Sequence, residues 1–106
     1  MPDVVYRQPD GSERRVAVPI GHSVMEGAIR NNVPGIVAEC GGNCACGTCH
    51  VFVDAMWIDR LAEKAMLEDA MLMVVPDLRP NSRLSCQIAM TETLDGLTVE
   101  IPERQR

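Results

Sequence analysis

The sequence predicts an α+β domain: a mixed sheet packed on one main helix, with a cysteine-rich loop bulging from one end. Three observations carry that prediction. The chain opens with two short alternating segments around a turn signal. A capped amphipathic segment follows. Apolar strand-like runs then resume only after a loop dense in glycine and cysteine.

Val4-Val5-Tyr6-Arg7 reads as a first strand and Glu13 to Val18 as a second, joined by Pro9-Asp10-Gly11-Ser12 as a hairpin turn. Ser23 followed three residues later by Glu26 is a capping box, which marks a helix start. Val24, Met25, Ala28 and Ile29 share one face of that helix, and Asn31-Asn32-Val33-Pro34-Gly35 stops it. The cysteine loop runs from about Val37 to Cys49, and His50-Val51-Phe52-Val53 leaves it as a short apolar strand. From Asp59 to about Leu72 the pattern is helical, in one piece or two. Leu61, Ala62, Ala65 and Met66 group on one side of it, and Asp59, Glu63, Glu68 and Asp69 are expected to face water. Pro76 and Pro80 end helical structure, Arg83 to Gln87 reads as a short strand carrying Cys86, and Leu97 to Ile101 as the last strand, closed by Pro102.

At 106 residues the chain is one domain by size, expected to span residues 1–106. With one Phe, one Trp and one Tyr, its core must be aliphatic. Met25, Met66, Met71, Met73 and Met90 read as core filler, and Trp57 as partly exposed cover. The longest apolar run, Ala70 to Val75, is far too short to span a bilayer, and Met1-Pro2-Asp3 does not begin a secretory signal, so a cytoplasmic, bacterial protein is expected. In a reducing compartment five cysteines read as metal ligands before they read as disulfides.

The net charge of −5 has a location. Between Glu39 and Asp77 stand seven acidic residues against two basic ones, Arg60 and Lys64, while the remainder carries eight of each sign. The whole imbalance therefore lies in the cysteine loop and the segment after it. That argues against nucleic acid or an anionic membrane as partner and favours a basic patch on another protein.

Glu39 to His50 reads E-C-G-G-N-C-A-C-G-T-C-H, four of the five cysteines within ten positions. Cys40 and Cys46 are separated by five residues, Cys46 and Cys49 by two, and Cys49 and Cys86 by thirty-six. Three ligands from one loop plus one remote cysteine is an iron–sulfur pattern. Plant-type [2Fe-2S] proteins use C-x4-C-x2-C, and here the first gap is one residue longer. Four thiolates with two bridging sulfides offset the charge of two ferric ions and leave a small negative excess, and one electron is exchanged. Gly41, Gly42 and Gly47 would let backbone N–H groups turn inward toward the sulfurs. Cys44 is left out, since ligation by both Cys44 and Cys46 needs a cramped bite; it reads as a spare thiol beside the loop. The rival reading of the quartet is structural zinc, but zinc sites usually bring ligands as two close pairs, and Cys86 stands alone.

Cys40-x5-Cys46-x2-Cys49-His50 with the later Arg83-Leu84-Ser85-Cys86-Gln87-Ile88 resembles the adrenodoxin/putidaredoxin type of [2Fe-2S] ferredoxin. Pro9-Asp10-Gly11, Asn32-Val33-Pro34-Gly35-Ile36 and Leu94-Asp95-Gly96-Leu97 extend the resemblance along the whole chain, and the Cys-Gly-Gly start of the loop is most similar to bacterial members that feed cytochromes P450. The resemblance implies a β-grasp fold with an added acidic interaction helix. It implies a [2Fe-2S] cluster held by Cys40, Cys46, Cys49 and Cys86. It implies no catalysis by the chain itself, but one-electron transfer from an FAD-containing, NAD(P)H-dependent ferredoxin reductase to a cytochrome P450. Glu39, Asp59, Glu63, Glu68 and Asp69 would form the docking face, and the protein would act as a monomer in transient complexes. The family's camphor-system member ends in an aromatic residue whereas this chain ends Arg104-Gln105-Arg106, which implies a different pairing.

His50 is expected to be hydrogen-bonded within the fold, with a link between the cluster loop and the acidic helix as the sharper reading. His22 is expected at the surface. Ser82, Arg83 and Ser85 are expected to shape the loop of the fourth ligand. Two alternatives stay open from sequence: an electron donor for iron–sulfur cluster assembly, and a zinc-stabilised interaction module without redox function.

Overall fold

Asp10 and Gly11 turn the chain back on itself where the sequence places the first turn. Gly11 has φ +91°, a left-handed conformation that glycine adopts without strain. The Asp10 carboxylate accepts from the Ser12 hydroxyl at 2.7 Å and its N–H at 2.9 Å, bonds that hold the Asp10 pKa below its ordinary value. The structure, a computed structural model, describes residues 2–33, 36, 50–61, 66–73, 75 and 78–102.

The hairpin pairs β1 (Asp3–Arg7) with β2 (Glu13–Ala17) antiparallel, Tyr6 opposite Arg14. Helix α1 (Val24–Arg30) then starts on the expected capping box. Ser23 Oγ accepts the Glu26 N–H at 3.0 Å while Glu26 Oε1 accepts the Ser23 N–H at 3.1 Å. Strand β3 (His50–Val53) leaves the cysteine loop, the short helices α2 (Ala55–Ile58) and α3 (Met66–Leu72) follow, and β4 (Ser82–Leu84) runs into a 3-10 turn at Ser85–Gln87. A second 3-10 turn, Glu92–Leu94, precedes β5 (Leu97–Glu100).

The five strands lie in the order β2-β1-β5-β3-β4. β1 and β5 are parallel and the other pairs antiparallel, so the sheet is mixed, as expected. Helix α1 packs on the hairpin end of the sheet. The Tyr6 hydroxyl donates to the Val24 carbonyl at 2.6 Å, and burial pushes the phenol pKa well above its ordinary value, so it remains a donor. The core is aliphatic around that one tyrosine: Val4, Val18, Val24, Ala28, Val51, Val53, Leu84, Met90, Leu97 and Val99 are all buried.

Four expectations need correction. Cys86 sits on the 3-10 turn after β4 and not on a strand. Ile29 is exposed, and Gly27 takes its place on the inward face of α1. Met25 and Met90 are core residues, but Met66 is exposed, because α3 turns it outward together with Asp69 and Ala70, and so is Met73, just past the helix. Glu68, expected in water, is 1% exposed. Among the described residues no helix is long and apolar enough to cross a membrane.

Candidate metal centre

The antiparallel register of β3 and β4 sets the Leu84 backbone opposite His50, the residue bonded to Cys49. The chain leaving the cysteine loop therefore runs beside the chain that delivers Cys86 two residues later. That pairing alone brings Cys86 to the end of the sheet at which β3 begins, one residue after Cys49 in the sequence. Cys40, Cys44, Cys46 and Cys49, the glycines Gly41, Gly42 and Gly47, and Glu39 and Glu63 lie outside the described residues.

Cys86 itself is half-buried on its turn, between a fully buried Ser85 and an exposed Gln87. The Gln87 side-chain amide donates to Cys86 Sγ at 3.4 Å. A thiol held at a surface turn, with a neighbouring N–H aimed at its sulfur, fits a ligand to an iron–sulfur centre: the sulfur can bond a metal and the N–H stabilises its negative charge.

The segment bearing Cys86 is clamped from two sides. On one, His50 Nε2 and Ser82 Oγ are 2.8 Å apart, both buried, the donor being set by the imidazole tautomer. The His50 ring meets Phe52 edge-on at 4.8 Å, and the Arg79 guanidinium covers the same phenyl at 4.1 Å. The expectation that His50 is bonded within the fold holds, with a bond to Ser82 of β4. On the other side, the Arg83 guanidinium donates from Nε to Glu68 Oε2 at 2.6 Å and from a second nitrogen to Oε1 at 3.1 Å. The Leu84 N–H donates to the same carboxylate at 3.0 Å.

Glu68 is thus a structural residue that ties α3 to β4, and its assignment to a solvent-facing docking surface does not hold. Its burial is tolerable because the charge is matched by a two-pronged guanidinium and a backbone donor. Asp69, next along α3, is exposed, as is Asp59, the C-cap of α2. Sequence reading placed Arg83 in the shaping of the ligand loop but did not find its partner. The available signal was the i,i+4 spacing of Glu68 and Leu72, both of which face inward. Gln87 carried no signal beyond adjacency to Cys86.

A family model described as the 2Fe-2S iron-sulfur cluster binding domain matches residues 7–91. The chain belongs to the 2Fe-2S ferredoxins. Ferredoxin CarAc of Sphingomonas sp is 50% identical to it over 102 residues, covering 96% of this chain and 94% of that one. The crystal structure of a ferredoxin from Rhodopseudomonas palustris HaA2 matches with a TM-score of 0.97 at 46% identity, over 99% of this chain and 100% of that one. The putidaredoxin of a covalent putidaredoxin reductase–putidaredoxin complex matches with a TM-score of 0.93 at 45% identity, over 96% and 99% of the two chains. This ferredoxin has the β-grasp fold, takes a [2Fe-2S] cluster, and is an electron carrier rather than an enzyme. A zinc-stabilised module without redox function is not favoured by these relationships.

Proposed function

We propose that this ferredoxin accepts single electrons from an FAD-containing, NAD(P)H-dependent ferredoxin reductase and delivers them to a cytochrome P450 in the cytoplasm. It does so as a monomeric domain of residues 1–106, with Cys40, Cys46, Cys49 and Cys86 as the ligands. The observation that carries the reading is the whole-length likeness to putidaredoxin as it occurs in complex with its reductase. When bound, the cluster supplies the one-electron exchange. The chain supplies ligation, a surface position and a face to dock.

That face is best built from Asp59 and Asp69, with Glu39 and Glu63 added from the sequence. Met66 on α3 and Met73 just past its end are exposed like Asp69. Exposed carboxylates steer a basic partner, while flexible thioethers adapt to whichever surface arrives. A carrier must release two partners in turn, so weak and fast contacts suit it. The putidaredoxin-type relationships do not favour the alternative of a donor for iron–sulfur assembly.

A reconstituted assay tests the reading. The purified, cluster-loaded ferredoxin is combined with NAD(P)H, a ferredoxin reductase and a P450 from the same source. Reduction of the P450, followed through its carbonyl complex, is expected to depend on ferredoxin and to slow as salt rises. A rate that is the same with and without ferredoxin overturns the proposal.

A further inference from the structure

Gln87 is exposed, makes no contribution to the core, and nonetheless directs its side-chain amide at Cys86 Sγ across 3.4 Å. The 3-10 turn Ser85–Gln87 makes this contact possible. Ser85 is buried beneath it and Ile88 is buried beyond it, so the backbone on either side of the ligand is anchored while the Gln87 side chain stays at the surface. Within the same turn the Ile88 N–H is directed at the Ser85 carbonyl at 3.4 Å, while the Gln87 amide donates to Sγ.

We propose that Gln87 is a potential-setting residue: its amide N–H stabilises the electron-rich state of the centre through the sulfur of Cys86. The inference deepens the function proposed above and rests on Cys86 being a ligand. Electron uptake adds negative charge that is shared by the ligand sulfurs. A hydrogen bond to sulfur is therefore stronger after reduction than before, and its presence raises the reduction potential. Because Gln87 is exposed, the bond also lies where water or a docking partner can compete for the amide. The same residue thus links the surface to the ease of reduction.

The decisive variant is Gln87→Leu, which keeps the bulk and removes the donor. A hydrogen bond of ordinary net strength changes an equilibrium by about three- to tenfold. Only the difference in that strength between the two redox states moves the potential, so at about 59 mV per tenfold for one electron the midpoint is expected to fall by up to about 60 mV. In resonance Raman spectra of the loaded protein, the shift of the iron–cysteine stretching bands on exchange into deuterated water is expected to shrink. The urea unfolding midpoint is expected to stay where it was, because nothing buried has changed. An unaltered or raised potential, or a deuterium response identical to the parent's, overturns the role of Gln87. Cys86→Ser separates this from the ligand assignment. If its colour and paramagnetic signal differ from the parent's, a null result for Gln87→Leu counts against Gln87 alone. If they match the parent's, Cys86 is no ligand and both proposals fall.

Discussion

Gly27 faces the sheet from the middle of α1, and a β-carbon there would stand 2.5 Å from Val18 Cγ2 and 2.8 Å from the Tyr6 hydroxyl. Neither neighbour has room to retreat. Val18 is fully buried, and the Tyr6 oxygen is fixed by its 2.6 Å bond to the Val24 carbonyl on the same helix. Two effects oppose each other in Gly27→Ala. Alanine favours a helix over glycine by about 1 kcal/mol, whereas overpacking a filled core costs about 1–3 kcal/mol. Here the collision involves two immobile groups, so overpacking wins. A net loss of about 1 kcal/mol or more is expected, read as a lower urea midpoint for the loaded protein. A variant as stable as the parent would mean that α1 can lift from the sheet at little cost. The packing behind this prediction was not visible in the sequence, where nothing local singles out Gly27. Only the crossing of α1 over Tyr6 and Val18 makes that glycine a contact requirement.

At the scale of elements, the local signals were legible because each rests on a few neighbouring residues. The Asp10-Gly11 turn and the Ser23–Glu26 capping box need only their own backbone, and both form as written. The box also makes a pH prediction. The Glu26 pKa is lowered chiefly by the bond from the Ser23 backbone N–H, with a smaller contribution from His22, whose Nδ1 lies 3.8 Å from Oε2. A carboxylate whose folded pKa lies below its unfolded value adds stability above the unfolded value, about 4.3. That stability is lost as pH falls through the folded pKa. Comparing the parent with Glu26→Gln in urea, the parent's advantage should be present at neutral pH and shrink below about pH 4. An advantage that persists unchanged at pH 3 would show that the carboxylate charge contributes nothing to the cap. Helix α3 shows where such local reading stops. Its charges suggest a solvated face, yet the helix presents Glu68 and Leu72 inward and Met66 and Asp69 outward. The deciding group is Arg83, fifteen residues later, and no local pattern announces that it pairs with Glu68.

Across the whole molecule, that pair joins α3, whose outer side carries Asp69, to the strand that ends two residues before Cys86. Cysteine spacing made the kind of centre legible, since ligand count and loop spacing are written in the sequence. How the centre is coupled to the surface depends on tertiary packing and was not. Two adjacent acidic residues on α3 should therefore behave in opposite ways. Glu68→Ala leaves the Arg83 guanidinium buried without its carboxylate and deprives the Leu84 N–H of its acceptor. Breaking a buried ion pair from one side costs about 3–5 kcal/mol. The loaded protein should accordingly unfold at much lower urea and lose cluster colour sooner on standing, at every ionic strength. Asp69→Asn removes an exposed charge, leaves the Glu68–Arg83 pair intact, and should lower the urea midpoint far less than Glu68→Ala does. Its effect should appear in stopped-flow reduction by the reductase: a slower second-order rate at low salt that converges on the parent's rate when exposed charges are screened, within about 8 Å at physiological ionic strength. Were Glu68→Ala to reproduce the salt-dependent rate change with no loss of stability, the inward placement of Glu68 would be wrong and the acidic face would include it after all. The opposite pairing of effects would establish that one turn of helix carries both the anchor of the ligand strand and the charge that recruits the partner.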